Sequence, residues 1–353
     1  MIPPIKLSDV AHAAGVSLGT ASNVFNRPAL VRPEMRAHVQ RVAAELGFSG
    51  PDPAGRLLMG GKANAIGFVP PGDMPVSFAF GSPYLNSLAL GIAEICDAHG
   101  ASLMVVSGAI ERKAWAIQNA LVDGFVLGHL DEVALVAARR RPVPFVLMDT
   151  IGGADQNSVV IDGRGGARMA AEHLLALGHR RFAILATQRG PGDPKWHPPG
   201  NGPRQLTAGF SLDDEKLAGF AEALVAAGIA FDDVPIIEVY PPSPWAESGA
   251  QMLLDLAPEA TAIMAMADKT AEAVLGEARR RGIDVPRQLS VIGFDDVPHA
   301  QLTTPPLTTI RQDIVEKGRI GARLLFEGNP ARHVRMAVEL VRRGSTAAPT
   351  PAT

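Results

Sequence analysis

The sequence predicts a multidomain chain: an all-α helix-turn-helix headpiece followed by a two-lobed α/β domain with parallel sheets. Three observations predict it. Ile5 to Asn26 reads as two short helices around a tight turn; residues 49–62 are rich in Gly and Pro; and from Asn64 onward short apolar strands alternate with amphipathic helices. With 353 residues, 47% hydrophobic and 20% charged, the chain can bury more than one core.

The headpiece is expected over residues 1–48. Leu7 to Ala14 carries Val10, Ala11 and Ala14 at helical spacing, and Gly15 supplies the backbone conformation that a helix end needs. Ser17 suits the N-cap of a second helix, with Val16 ahead of it as a hydrophobic staple. In that helix Ala21, Val24 and Phe25 share one side, which turns Leu18, Gly19, Ser22 and Asn23 outward. A helix face of small and polar residues fits the major groove of duplex DNA; a helical hairpin with a merely solvated face is the plainer alternative for this segment alone. Arg32-Pro33-Glu34 opens a third helix, with an apolar stripe of Met35, Val39, Val42, Ala43 and Leu46 and an end at Gly47. The expected core is Val10, Ala14, Val16, Ala21, Val24, Val39, Val42 and Leu46.

Charge points the same way. The net charge is −3, yet residues 1–62 hold seven Lys/Arg against four acids, +3, which leaves the remainder at −6. A basic head on an acidic body is the footprint of a duplex-binding module. Between them, residues 49–62 read as a linker with one or two helical turns between Pro53 and Gly60, too short to hold a helix alone in water. Arg56-Leu57-Leu58 is an unusual sequence to leave in solvent.

The body is expected to hold strands at Ala65–Val69, Ser102–Val106, Gly124–Leu127, Phe145–Met148 and Val159–Ile161, with helices at Tyr84–His99, Ile110–Leu121 and Glu132–Arg140 between them. A second series places strands at Phe182–Ala186, Ile236–Val239, Ala262–Ala265 and Ser290–Phe294, and helices at Gly166–Leu177, Glu215–Ala227, Ala246–Leu256 and Lys269–Arg281. Two tandem α/β lobes imply a cleft, and ligands in such sheets bind beyond the carboxyl ends of the strands. Gln188–Thr207, with four Gly and five Pro, is a long loop at one such strand end, either a lid over the cleft or a floppy insertion.

Catalytic signatures are missing. The nine histidines show no metal-binding spacing, no GxSxG occurs, and GRGG at 163–166 lacks the order of a dinucleotide fingerprint, so it reads as a strand-to-helix turn. No enzyme activity, cofactor or metal is expected. The single cysteine, Cys96, lies in an apolar helical pattern and reads as a buried structural thiol. No apolar run reaches the length of a membrane span and the N-terminus lacks a signal core, so a cytoplasmic protein is expected.

Residues 5–62 resemble the headpiece and hinge of the lac-repressor family of bacterial transcription regulators. The body resembles the same family, and periplasmic sugar-binding proteins more distantly, in VDGFVL (122–127), VVIDGRGGARMAAEHLLALGHRRFAIL (159–185), LAGFAEAL (217–224) and VPRQLSVIGFDDVPHAQLTTPPLTTIRQ (285–312). The resemblance implies a homodimeric DNA-binding regulator, a repressor, whose affinity for double-stranded operator DNA is set by a small sugar-like effector held in a periplasmic-binding-protein-like domain. A solute-binding protein without a DNA role is the alternative. The domains implied are a headpiece at 1–48, a hinge at 49–62 and a two-lobed domain at 63–344; the composition of STAAPTPAT from Ser345 suggests a disordered tail at 345–353. Lobe 1 is expected over about 63–160 and 294–322, and lobe 2 over about 161–293 and 323–344. Family positions match Leu18, Gly19 and Asn23 as base readers, Thr20, Ser22 and Asn26 as phosphate contacts, Arg56 near the backbone, and Leu58 as a wedge in the minor groove. In the cleft they match Tyr84, Asp149, Lys216, Trp245, Ala267 and Asp295. Lys216 stands where the family usually has Arg, and Ala267 replaces a common Asn. Trp245 is either an aromatic that stacks on a sugar face or a tryptophan that simply starts a helix.

Overall fold

The computed structural model describes residues 5–48, 61–71, 76–128, 132–188, 192–200, 212–240, 244–328 and 331–350. The chain divides into two units, Met1–Ala63 and Asn64–Thr353.

In the first unit, α1 (Leu7–Ala13), α2 (Leu18–Asn26) and α3 (Pro33–Leu46) enclose a small core of Val10, Ala14, Val24, Val39 and Ala43. Local chemistry sets each boundary. The Lys6 backbone N–H donates to Asp9 Oδ2 at 2.8 Å, Gly15 takes φ +63°, and Ser17 Oγ accepts from the Thr20 backbone N–H at 3.0 Å. The third helix differs from expectation in its apolar stripe: Leu46 is 36% and Met35 39% exposed. Gly47, at φ +74°, closes α3 in a Schellman-type cap, in which Phe48 N–H donates to Ala43 O at 2.9 Å. That reversal returns Phe48 to the core, where it meets Phe25 edge to face at 5.5 Å and fills the place expected of Leu46.

The second unit contains two sheets. The first runs β12 (His333–Met336), β5 (Asn157–Ile161), β4 (Phe145–Met148), β3 (Gly124–Gly128), β1 (Ala65–Val69), β2 (Ser102–Val105), all parallel. The second runs β13 (Glu339–Val341), β11 (Thr308–Arg311), β10 (Ser290–Asp295), β9 (Ala262–Ala265), β6 (Phe182–Thr187), β8 (Ile236–Val239), β7 (Lys195–His197), parallel except at its two edges. The helices are α4 (Val76–Phe80), α5 (Pro83–Ala98), α6 (Ile110–Asn119), α7 (Glu132–Arg139), α8 (Gly163–Ala176), α9 (Leu212–Ala226), α10 (Trp245–Leu256), α11 (Asp268–Arg280) and α12 (Ile314–Glu327).

The central strands are buried on both faces because helices cover both. Along β10, Ile292 and Phe294 enter the core shared with α8 and α9, while Val291 enters the one shared with α10 and α11. Asp162 caps α8 by accepting from Gly165 N–H at 3.0 Å, so GRGG is the strand-to-helix turn expected. In the first lobe α5 and α12 pack backbone to backbone. A Cβ on Gly91 would overlap the Val315 carbonyl, and one on Gly318 the Leu88 carbonyl.

Long-range topology corrects three expectations. The chain does not return to the first lobe after Phe294: β11 pairs with β10 (Ile292 with Thr308, Asp295 with Arg311), so the return comes only after Arg311, through α12. Likewise β12 belongs to the first sheet beside β5, and only β13 closes the second. Short apolar runs such as TTIR satisfy either sheet equally well, so their periodicity carries no lobe assignment.

The tail is the second correction. Ser345 is buried, its Oγ donating to Val291 O at 2.6 Å and accepting from Thr308 N–H at 2.8 Å, and Ala347 N–H donates to Ser290 Oγ at 3.0 Å. Residues 345–350 thus dock on the second lobe despite a composition that suggests disorder; residues 351–353 lie outside the described residues. Third, part of the Gln188–Thr207 insertion is built into the second sheet, while residues 189–191 and 201–207 lie outside the described residues. Lys195–His197 forms an edge strand antiparallel to β8, and Trp196 packs on the core. Among the described residues, no helix is long and apolar enough to cross a membrane.

Candidate functional site

In the headpiece, Leu18 is 56% exposed and Gly19 is exposed beside it, at the start of α2. Ser22 and Asn23, expected to face outward, are half-buried, next to the buried Ala21 and Val24 on the same helix. Asn26 Nδ2 donates to Ser22 Oγ at 3.1 Å, and the Thr20 hydroxyl lies 2.9 Å from Ser17 Oγ. These contacts give Thr20, Ser22 and Asn26 side-chain partners within the headpiece. Arg56 and Leu58 lie outside the described residues.

The second group of predicted residues stands at the carboxyl ends of β4 and β10. Asp149 follows directly after β4 and Asp295 ends β10, both with positive φ, +59° and +113°. Tyr84, in the first turn of α5, donates its hydroxyl to Asp149 Oδ2 at 2.8 Å. Lys317, on α12 and fully buried, donates to Tyr84 Oη at 2.9 Å, to Gln312 Oε1 at 2.9 Å, and to Asp149 Oδ1. Gln312 Nε2 then donates to Asp295 Oδ1 at 2.7 Å. The result is one polar chain from the first lobe to the second: Tyr84, Asp149, Lys317, Gln312, Asp295.

Burial drives the electrostatics of this chain. It pushes the Asp295 carboxyl up to about 6, against the pull of Lys216, the Gln312 hydrogen bond and Lys317. Burial also raises the Tyr84 phenol well above its ordinary value, reinforced by Asp149 and Asp295. Asp268, under the same strand ends, accepts from Thr309 Oγ1 at 2.5 Å and Val297 N–H at 2.9 Å, and desolvation together with Asp295 raises it well above the usual carboxylate range. Asp296 is held by Arg311 and Arg343, each at 2.7 Å, which makes it a structural ion pair rather than a ligand group. Among the described residues, no cluster of His, Cys, Asp and Glu could hold a metal ion.

Residues 6–50 match the model for bacterial regulatory proteins of the lacI family, and residues 171–346 match the periplasmic binding protein-like domain. The chain is 33% identical over 357 residues to the HTH-type transcriptional regulator Rv3575c of Mycobacterium tuberculosis, covering 97% of both. The chain belongs to the lacI family. Among solved structures, it is similar to the lac repressor dimer bound to operator and the anti-inducer ONPF, with 27% identity, TM-score 0.76 and coverage of 98% of this chain and 100% of that one. It is also similar to a complex of the transcriptional regulator CelR with cellobiose, with 26% identity, TM-score 0.68 and coverage of 97% and 99%. As a lacI-family member it is a DNA-binding transcription regulator, and its relatives are named as regulators rather than enzymes.

Of the six predicted cleft residues, the structure brings Tyr84, Asp149 and Asp295 into one chain and places Lys216 against its second-lobe end. Lys216 Nζ donates to Met266 O at 2.8 Å, and Ala267 follows directly, with an extended backbone and no polar side chain to offer. Trp245 stands apart: it starts α10, packs against the second-lobe core and meets Tyr240 edge to face at 5.4 Å. A surface depression elsewhere on the second lobe, lined by Glu247, Lys269, Glu272, His299 and Leu302 among others, includes none of the six.

Sequence reasoning missed Lys317 and Gln312, the two residues that join the lobes. The one available signal was a lysine inside the otherwise small and apolar stripe of α12, Ile314, Gly318, Gly321, Ala322 and Leu325, where a charge has to be paired.

Proposed function

We propose that this lacI-family chain is a repressor that binds a two-fold operator as a homodimer and is controlled by a small polar effector, a sugar or sugar derivative, held between its lobes. The observation that carries the control half is the polar chain from Tyr84 to Asp295. It ties the carboxyl ends of β4 and β10 together, so a ligand that inserts its own hydroxyls there exchanges partners with both lobes at once and changes how they close. A closure that differs between DNA-competent and DNA-incompetent dimers is then coupled to operator affinity. Two solved relatives support the reading by what they hold, operator and anti-inducer in one case and cellobiose in the other.

For the DNA half, exposed Leu18 and Gly19 and half-buried Asn23 are the proposed base readers, with Thr20, Ser22 and Asn26 at phosphates. Gly19 offers no side chain, which leaves most hydrogen-bond discrimination to the Asn23 amide. Arg56 and Leu58 keep their proposed places at the backbone and the minor groove on sequence resemblance alone.

The test is selection of duplexes from a random library by the full-length protein, followed by anisotropy titrations. Two-fold-related half-sites are expected, and Asn23→Ala should flatten discrimination among operator variants while weakening every variant less than about tenfold, about 1.4 kcal/mol. Asymmetric sites, or unchanged relative affinities in Asn23→Ala, refute the DNA half. A carbohydrate that shifts operator affinity in the parent but equally in Asp295→Ala refutes the placement of the effector.

A further inference from the structure

We propose that the effector carries an anionic group, a carboxylate or a phosphate, and that the Lys216 ammonium receives it. The inference rests on the reading that the lobe junction is the effector site.

The two buried lysines at this junction differ in how they are satisfied. Lys317 spends its donors on three oxygens, those of Tyr84, Asp149 and Gln312, one of them a carboxylate. Lys216 is 4% exposed and donates to a single acceptor, the Met266 carbonyl, while its charge stands 4.1 Å from the centroid of the Phe294 ring. Among the described residues no carboxylate forms an ion pair with it. An ammonium has three donors, and a carbonyl and a ring face offset only part of the cost of taking the charge out of water.

Its position turns that deficit toward a ligand. Met266 follows β9 and Phe294 is the penultimate residue of β10, so Nζ sits at the carboxyl ends of two adjacent strands of the second sheet. Asp295, next along β10, is the acid that senses it, but that carboxyl is bound to Gln312 and makes no ion pair with Lys216. Asp268 accepts from Thr309 Oγ1 and Val297 N–H rather than from Lys216. Although Asp295 and Asp213 lie near enough to act on this junction electrostatically, among the described residues the Lys216 ammonium has no carboxylate in ion-pair contact and only one hydrogen-bond acceptor. A neutral sugar leaves it in that state; an acid or phosphate group on the ligand completes it. Because lysine is a point charge without the planar fork of arginine, the site accepts either anion geometry.

The experiment uses the full-length protein without DNA, with thermal unfolding and calorimetric titration by sodium phosphate and by sodium acetate, against sodium chloride at matched ionic strength. Saturable stabilisation is expected from at least one of the two anions, and the stronger one names the group. Lys216→Arg should keep the affinity within about threefold, whereas Lys216→Met and Lys216→Gln should weaken it by about tenfold or more, equivalent to about 1.4 kcal/mol. Two neutral variants guard against one that misfolds. Absence of saturable binding by both anions, or equal binding in the neutral variants, overturns the inference. A companion operator titration by anisotropy, run in the anion that binds, separates the two readings: a saturable anion site that leaves operator affinity unchanged sinks the effector reading, while the site at Lys216 stands.

Discussion

Asp149→Asn isolates the energetic role of the junction. Asn has nearly the same shape and tolerates the left-handed backbone at φ +59°, so the substitution removes a charge and little else. What remains is the Lys317 ammonium, fully buried, in hydrogen-bond contact with the Tyr84 hydroxyl, the Gln312 side-chain oxygen and the amide introduced at position 149, with no carboxylate in direct contact. Removing one partner of a buried ion pair costs about 3–5 kcal/mol, because the other charge is left desolvated. For a unit of this size the melting temperature should fall by roughly 6–20 °C. Adding Lys317→Met should restore most of the loss, since a buried methionine needs no counter-charge, and the double mutant should lie within about 1–2 kcal/mol of the parent. The assay is calorimetry of the full chain, following the transition of the larger unit. A loss under about 1 kcal/mol in Asp149→Asn, or a double mutant no more stable than that single one, would show that the pair is not the buried, mutually dependent contact described.

Asp295 should behave in the opposite sense. Its native carboxyl titrates near 6 and its ordinary value is 3.8, so between those values the folded state holds a proton that the unfolded chain has lost. Stability from this group is full below about pH 4, falls as pH rises toward 6, and stays reduced by about 3 kcal/mol above it. Asp295→Asn should therefore raise the melting temperature at pH 7.5 and reduce the slope between pH 4 and 6; a lower melting temperature at pH 7.5 would contradict this. Gly318→Ala should lose about 1–3 kcal/mol, because the new methyl overlaps the Leu88 carbonyl. Gly276→Ala on α11, where a Cβ meets nothing within 4 Å, should gain about 0.5–1 kcal/mol, and the pair can be compared by urea titration. Ser17→Ala should weaken the headpiece by about 1 kcal/mol through loss of the bond from Thr20 N–H, read from helix ellipticity in the same titration.

What the sequence determined by itself is local. Ser17 as a cap, Gly15 and Gly47 as helix ends, the helical stripes of the headpiece and the double-faced strands of the body depend on neighbours within a turn or two, and composition and spacing record those neighbours directly. The family motifs also located Tyr84, Asp149 and Asp295, each at an element end. Only the tertiary structure decided which sheet receives each short strand, because TTIR and HVRM bury the same kinds of groups in either lobe, and the available edge settles the pairing. It alone docked Ser345 and Ala347, whose small side chains and backbone become structural once Val291, Thr308 and Ser290 present backbone and hydroxyl groups to them. And it alone joined Lys317 to Tyr84 across 233 residues and to Asp149 across 168. A buried charge is stable only where its partners converge, and that convergence is a property of the packed lobes, which no window of sequence contains.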